Sequence, residues 1–164
     1  MKYTNTIFKR DVIIEEYVPL LIKSPLQSEN ANYVIYRYGD NSLLEITFDE
    51  KDFNVYRINM VICKEFRRIN SCYVLPENFT KGDVAIDDAK EVITNKFECV
   101  IYDDAISVIV NDAQIEERII SDNIIWELDA SGNLVSLTVY NQSAEIIDHT
   151  FEELSYDAKS SNKS

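Results

Sequence analysis

Asp129, Ser131 and Asn133 stand at every second position of "IIWELDASGNLVSLTVY", Ile124 to Tyr140, and imitate the first three oxygen ligands of a calcium loop. Such a loop also needs glycine at its sixth position and a bidentate glutamate at its twelfth, where this chain has Leu134 and Tyr140. A strand, a turn and a returning strand explain the same residues without a metal. Asp and Asn make local turn hydrogen bonds, and Gly132 supplies a position of positive φ. The hairpin is the simpler reading, so neither a metal nor a cofactor is expected.

His149 is the single histidine, with Asp148 before it and Glu152 and Glu153 after it. A carboxylate-held general base needs a nucleophile to activate, and none is identifiable. A solvated histidine on an acidic helix accounts for the position. The phosphate-loop, dinucleotide, zinc-protease and nucleophile-elbow patterns do not occur. No catalytic residue is assigned, and enzymatic activity is not expected.

The remaining chemistry lies in clustered carboxylates: Asp103 and Asp104, then Asp112, Glu116 and Glu117, then Asp122. Asp104 and Asp112 flank the strand-like "AISVIV", and Glu116 and Glu117 fall on the strand after it, which predicts neighbouring turns and edges of one sheet. Such a surface binds a Lys/Arg-rich patch by charge-assisted hydrogen bonds. Tyr102 and Tyr140 would add rigid contact area if they share that face. A pair of these carboxylates acting on a small substrate is the enzymatic alternative, and a purely structural β-domain is a third reading.

Charge is distributed unevenly around this set. Residues 1–96 carry 15 acidic and 13 basic side chains, net −2, whereas residues 97–158 carry 14 acidic side chains and a single basic one, Arg118, net −13. A field of one sign over that region repels nucleic acid and anionic membrane and steers cationic partners inward. Its simpler role is to keep the surface solvated.

The elements that must position these groups read as strands. "NYVIYRY", "LLEITFD", "FNVYRINMVI", "DVAID", "FECVIY", "ISVIV", "IEERII", "NIIWELD" and "LVSLTVY" alternate with period two, separated by Asp, Asn, Gly and Lys clusters. The fold class is therefore mainly β, with antiparallel sheets built from hairpins and little helix. Hairpin turns are expected at Gly39 to Ser42 and at Asp129 to Asn133; with only three glycines, other turns must use Asn or Asp. "ITFDEKDFNVYRINM" and "WELDASGNLVSLTV" look alike because each is a hairpin, not because a domain is duplicated.

"SAEIIDHTFEELS" predicts a short C-terminal helix capped by Ser143, and "DDAKEVITNK" is a weaker helical candidate. Pro19 interrupts any helix from Asp11 but is compatible with an edge strand over Val18 to Ile22. A single domain over 1–155 and a disordered polar tail over 156–164 follow. Cys63, Cys72 and Cys99 are an odd count without C-x-x-C spacing, which predicts reduced, buried thiols. The N-terminal "MKYTNTIFKRD" has no apolar signal region, so a cytoplasmic protein is expected.

Residues 99–143 resemble a small bacterial domain family of unknown function, on the pattern carried by Tyr102, Asp103, Asp129, Gly132, Leu134, Val135 and Ser143. Ser136 stands where that pattern has glycine, Gln142 stands where it has alanine, and the segment before "ISVIV" is shorter. The resemblance implies a hairpin-rich unit and no activity. "YGDNSLLEITFDEKDFNVYRINMVI" is similar to segments of immunity proteins from contact-dependent growth inhibition systems. That resemblance implies a non-enzymatic inhibitor whose partner is a basic toxin domain, with a nuclease the expected kind.

Overall fold

Alternating β-branched and aromatic residues fit a pleated surface that is buried on one face, and each period-two run forms a strand. The computed structural model describes residues 1–161. Its N-terminal strands are β1 (Lys2–Thr4), β2 (Asp11–Glu15), β3 (Val18–Lys23), β4 (Ala31–Tyr38), β5 (Ser42–Asp49) and β6 (Val55–Cys63). Short strands follow: β7 (Phe66–Arg68), β8 (Thr80–Lys81), β9 (Asp83–Ala85) and β10 (Lys90–Ile93). The chain continues through β11 (Glu98–Ile101), β12 (Ile106–Ile109), β13 (Glu117–Ser121), β14 (Ile124–Leu128) and β15 (Leu134–Val139) into helix α1 (Ala144–Ser161).

A six-stranded sheet has the order β10-β4-β5-β6-β3-β2, a seven-stranded sheet the order β7-β11-β12-β15-β14-β13-β8, and β1 pairs with β9. Pairing is antiparallel except where β10, β7 and β8 add to sheet edges in parallel. Ile22, Val34, Ile46 and Ile58 of the first sheet join Ile101, Val108, Trp126 and Leu137 of the second in one buried cluster, which makes the two a sandwich. Helix α1 lies across one end: Ile147 and Leu154 enter the core, and the Phe151 ring meets Phe66 of β7 edge-on at 6.0 Å. No helix among the described residues is long and apolar enough to cross a membrane.

Both expected hairpins form. Gly39 (φ 57°) turns β4 into β5 and Gly132 (φ 76°) turns β14 into β15. The other left-handed positions are Asp122 and Asn141, as the scarcity of glycine requires, but also Tyr17 and Phe53, where a Cβ is poorly accommodated.

Several expectations are corrected. "DDAKEVITNK" is not helical: Lys90–Ile93 is strand β10 on the free edge of β4, and the would-be cap Asp87 pairs with Lys2. Pro19 lies in an interior strand, since β3 sits between β2 and β6. Its missing N–H costs nothing there, because pairing with β6 starts at Leu20 and the β2 register slips between Ile13 and Glu15.

The tail expected to be disordered from 156 is helical as far as Ser161, and 162–164 lie outside the described residues. Asp157 and Ala158 line a small cleft together with Asn41, Ile62, Cys63 and Lys64, so the polar last turns of α1 lie beside the end of β6. Of the three thiols, Cys63 and Cys99 are buried and Cys72 is exposed.

Candidate functional site

Glu117 lies in the seven-stranded sheet and the other candidate carboxylates in segments that adjoin its strands, so its register decides which can act together. Ile106, Val139, Ile124 and Ser121 face one another across β12, β15, β14 and β13, while Ile109, Ser136, Glu127 and Arg118 form a row near the opposite end. Asp103 and Asp104 precede Ile106, and Asp122 follows Ser121, so these three share one end of the sheet. Asp112 follows Ile109, and Glu116 and Glu117 lead into Arg118, so those three share the other. Eight residues of near-extended chain separate Asp104 from Asp112, roughly 25 Å. The set is two surfaces, not one.

At the first end the backbone is tightly fastened. Tyr102 N–H donates to Ala105 O at 2.8 Å to close the β11–β12 turn, Asp103 N–H donates to Ser71 O at 3.0 Å, and Gln142 N–H donates to Asp104 O at 2.9 Å. The Asp104 carboxylate accepts Tyr73 N–H at 2.7 Å, anchoring the segment after β7, and the Tyr73 ring meets Tyr102 edge-on at 5.2 Å. Tyr140 O–H donates to Asp122 O at 2.7 Å and Tyr140 N–H to Asn123 O at 2.9 Å. Burial, with Asp122 nearby, pushes the Tyr140 phenol above its ordinary range, which keeps it a donor.

The second end is looser. Glu116 N–H donates to Leu128 O at 2.9 Å, and the Asp112 carboxylate accepts from the Asn95 side chain, whereas Glu116 and Glu117 project unpaired side chains into solvent. Arg118, the single cation of this region, is taken by Glu127 at 2.8 Å and offsets neither group.

Beside the first end lies a feature that the carboxylate pattern does not announce. Ile7, Leu75, Phe79, Ile120 and Tyr140 line an apolar groove of about 640 Å³, whose lining also includes Asp122, Lys9 and Lys81. Leu75 is 45% exposed, Phe79 42% and Ile7 52%, so the walls offer large apolar side chains to whatever docks there. The sequence signal was "YVLPENF", apolar residues around a proline without strand alternation.

Asp129 organises the β14–β15 turn. Its carboxylate accepts Ser131 N–H at 2.8 Å and Asn133 N–H at 2.9 Å, with the Asn133 amide on both oxygens. Burial alone would raise this group, but those hydrogen bonds outweigh it and hold the carboxyl below its usual range. Among the described residues no cluster of three or more His, Cys, Asp or Glu is placed to hold a metal ion. His149 is not a solvated residue: half-buried, its Nε2 lies 3.1 Å from Val18 O and docks α1 on β3.

The chain matches no protein-family model and no curated protein.

Proposed function

We propose that this chain is a non-enzymatic protein-binding module, an immunity-type inhibitor that acts in the cytoplasm on a cationic toxin domain. Asp103, Asp104 and Asp122 form the acidic part of its contact surface. The observation that carries this reading is the apolar groove of Ile7, Leu75, Phe79 and Tyr140 beside Asp122, at the end of the sheet that also carries Asp103 and Asp104. Buried anchors hold a complex, while flanking charge speeds encounter and sets orientation; this end of the sandwich offers both. The net −13 of residues 97–158 supports a basic partner and disfavours nucleic acid or an anionic membrane. Asp112, Glu116 and Glu117 then contribute only to the general field.

The test compares two triple reversals, Asp103, Asp104 and Asp122 to Lys against Asp112, Glu116 and Glu117 to Lys, with any toxin domain that a neighbouring gene encodes as partner. At 0.15 M salt the screening length is about 8 Å, well short of the ~25 Å between the ends. The first variant should associate at least tenfold more slowly and the second within threefold of wild type. Equal rates for all three proteins would remove the acidic surface from the mechanism.

A further inference from the structure

We propose that the outer face of the six-stranded sheet carries a site for a small organic monocarboxylate, held by Arg57 and Lys23. A depression of about 670 Å³ lies there, within the ordinary range for small-molecule sites. Its floor follows from the register. Asp11, Lys23, Arg57, Thr47 and Tyr33 stand side by side across β2, β3, β6, β5 and β4. The loop from Ser24 to Ser28 forms one wall, and Ile13 with the Tyr33 and Tyr56 rings supplies apolar surface.

Arg57 is the residue that needs a ligand. Arg10, Arg37, Arg67, Arg68 and Arg118 each pair with a carboxylate, and Arg57, the remaining arginine, pairs with none among the described residues. Its Nε is buried and has no hydrogen-bond acceptor. Directly opposite on β3 stands Lys23, a second cation without an ion pair, although like charges in facing positions are unfavourable. A chain with 29 acidic side chains has carboxylates to spare for both, yet leaves this pair open in a cleft. An anion between them would offset the repulsion and satisfy Nε at once.

The rim decides which anion. Asp11 and Glu45 also line the depression, so a dianion such as phosphate meets more repulsion there than a monocarboxylate does. They are not a hydrolytic pair, because three strand spacings, about 14 Å, separate β2 from β5. Ser28 is already committed to Asp49 at 2.6 Å, whereas Ser24 Oγ accepts Leu26 N–H at 3.2 Å and keeps its own proton for a ligand oxygen. Thr47, 8% exposed, hydrogen-bonds to no other side chain and lies next to Arg57. The apolar walls select a carboxylate with a hydrocarbon or aromatic body over a bare ion.

The test is a nitrogen–proton correlation titration of the full chain, read at the Arg57 Nε–H and the amides of Lys23 to Leu26. The panel is acetate, 3-phenylpropionate, 3-phenylpropionamide and inorganic phosphate. We expect saturable shifts with 3-phenylpropionate in the millimolar range, at least tenfold weaker response to its amide, to phosphate and to acetate, and loss of at least tenfold in Arg57→Gln. Lys23→Gln, on the same floor, should weaken the carboxylate several-fold, and the thermal midpoints of both variants should show that they fold. No saturable shift for either carboxylate, or amide or phosphate binding as tightly as the acid, or unchanged binding in folded Arg57→Gln, overturns the site. None of these outcomes touches the groove on the other sheet.

Discussion

Arg10 and Asp83 form an ion pair at 2.7 Å with both side chains wholly buried. Arg10 Nε donates to Val55 O at 2.8 Å on the six-stranded sheet, and its guanidinium stands 6.0 Å from the Trp126 ring of the seven-stranded one. Asp83 accepts in addition from Ser121 Oγ at 2.8 Å, Phe8 N–H at 3.2 Å and Val84 N–H at 2.8 Å. One charged pair thus ties together both large sheets and the β1–β9 ribbon. The arrangement is under-satisfied in one respect, since Arg10 Nη1 has no partner.

Asp83→Asn should therefore be severely destabilising, by roughly 3–5 kcal/mol, because it leaves the Arg10 charge buried without its counterion. Arg10→Met with Asp83→Leu should recover only part of that loss, because Phe8 N–H and Ser121 Oγ would still lack their acceptor. Urea unfolding checks both; a loss below about 1 kcal/mol for Asp83→Asn would mean that water reaches the guanidinium.

Acid should unfasten the Asp129 turn. The folded carboxyl lies below its ordinary value, so its contribution is present above the unfolded carboxylate range near pH 4 and is lost as pH falls through the folded pKa. Asp129→Asn should lower the thermal midpoint by a few degrees at pH 6, and the gap to wild type should close towards pH 2. A gap that stays constant down to pH 2 would show that the carboxylate charge is not what the turn donors recognise.

Much of this architecture could be read from local pattern, and the reasons are specific. "LVSLTVY" and "NIIWELD" alternate because one face of each strand joins the apolar core, although the other face is covered as well, and Gly39 and Gly132 sit where the backbone must turn left-handed. Asp49 and Asp129 play the same part in the two hairpins that look alike in sequence, each carboxylate taking the N–H two residues on. The separation of the acidic set was also implicit, because Asp104 and Asp112 flank one strand. Other features depend on pairings that no local window contains. Arg10 and Asp83 are 73 positions apart. The groove joins Ile7, Leu75, Ile120 and Tyr140 from four segments, and β7, β8 and β10 are strands only because a neighbouring edge accepts them in parallel. The last turns of α1 likewise lie beside a remote segment, the end of β6.

Cys72 reports on the Asp103–Asp104 end directly. It is exposed, and Asp104 first, then slight burial and Asp103, raise its pKa and suppress the thiolate. Asp104→Asn should therefore speed alkylation by uncharged iodoacetamide at pH 7.5 several-fold. Cys63, which burial pushes up to about 12, and the fully buried Cys99 should remain unmodified in the native protein. Mass spectrometry after a short pulse separates the sites, and an unchanged Cys72 rate would place the two carboxylates too far away to act as one surface.

The groove should reveal itself in dissociation instead of association. Leu75 and Phe79 are more than two-fifths exposed, so truncating either to Ala should change fold stability by no more than about 0.5 kcal/mol. If they fill pockets on the toxin domain, each variant should dissociate about tenfold faster or more, with the association rate within threefold of wild type. Lys9 and Lys81 also line the groove and oppose a cationic partner. Lys9→Gln with Lys81→Gln should thus accelerate association at low salt, and the gain should vanish near 1 M, where the screening length falls to about 3 Å. Stopped-flow and surface-binding measurements against the same toxin domain give both rates. Should Leu75→Ala and Phe79→Ala leave dissociation unchanged while reversal of Asp103, Asp104 and Asp122 still slows encounter, the acidic end would steer the partner and the anchors would have to lie elsewhere. A slower association for the Lys9 and Lys81 double variant would mean that the partner presents negative charge to this rim, and the orientation of the complex would have to be turned around.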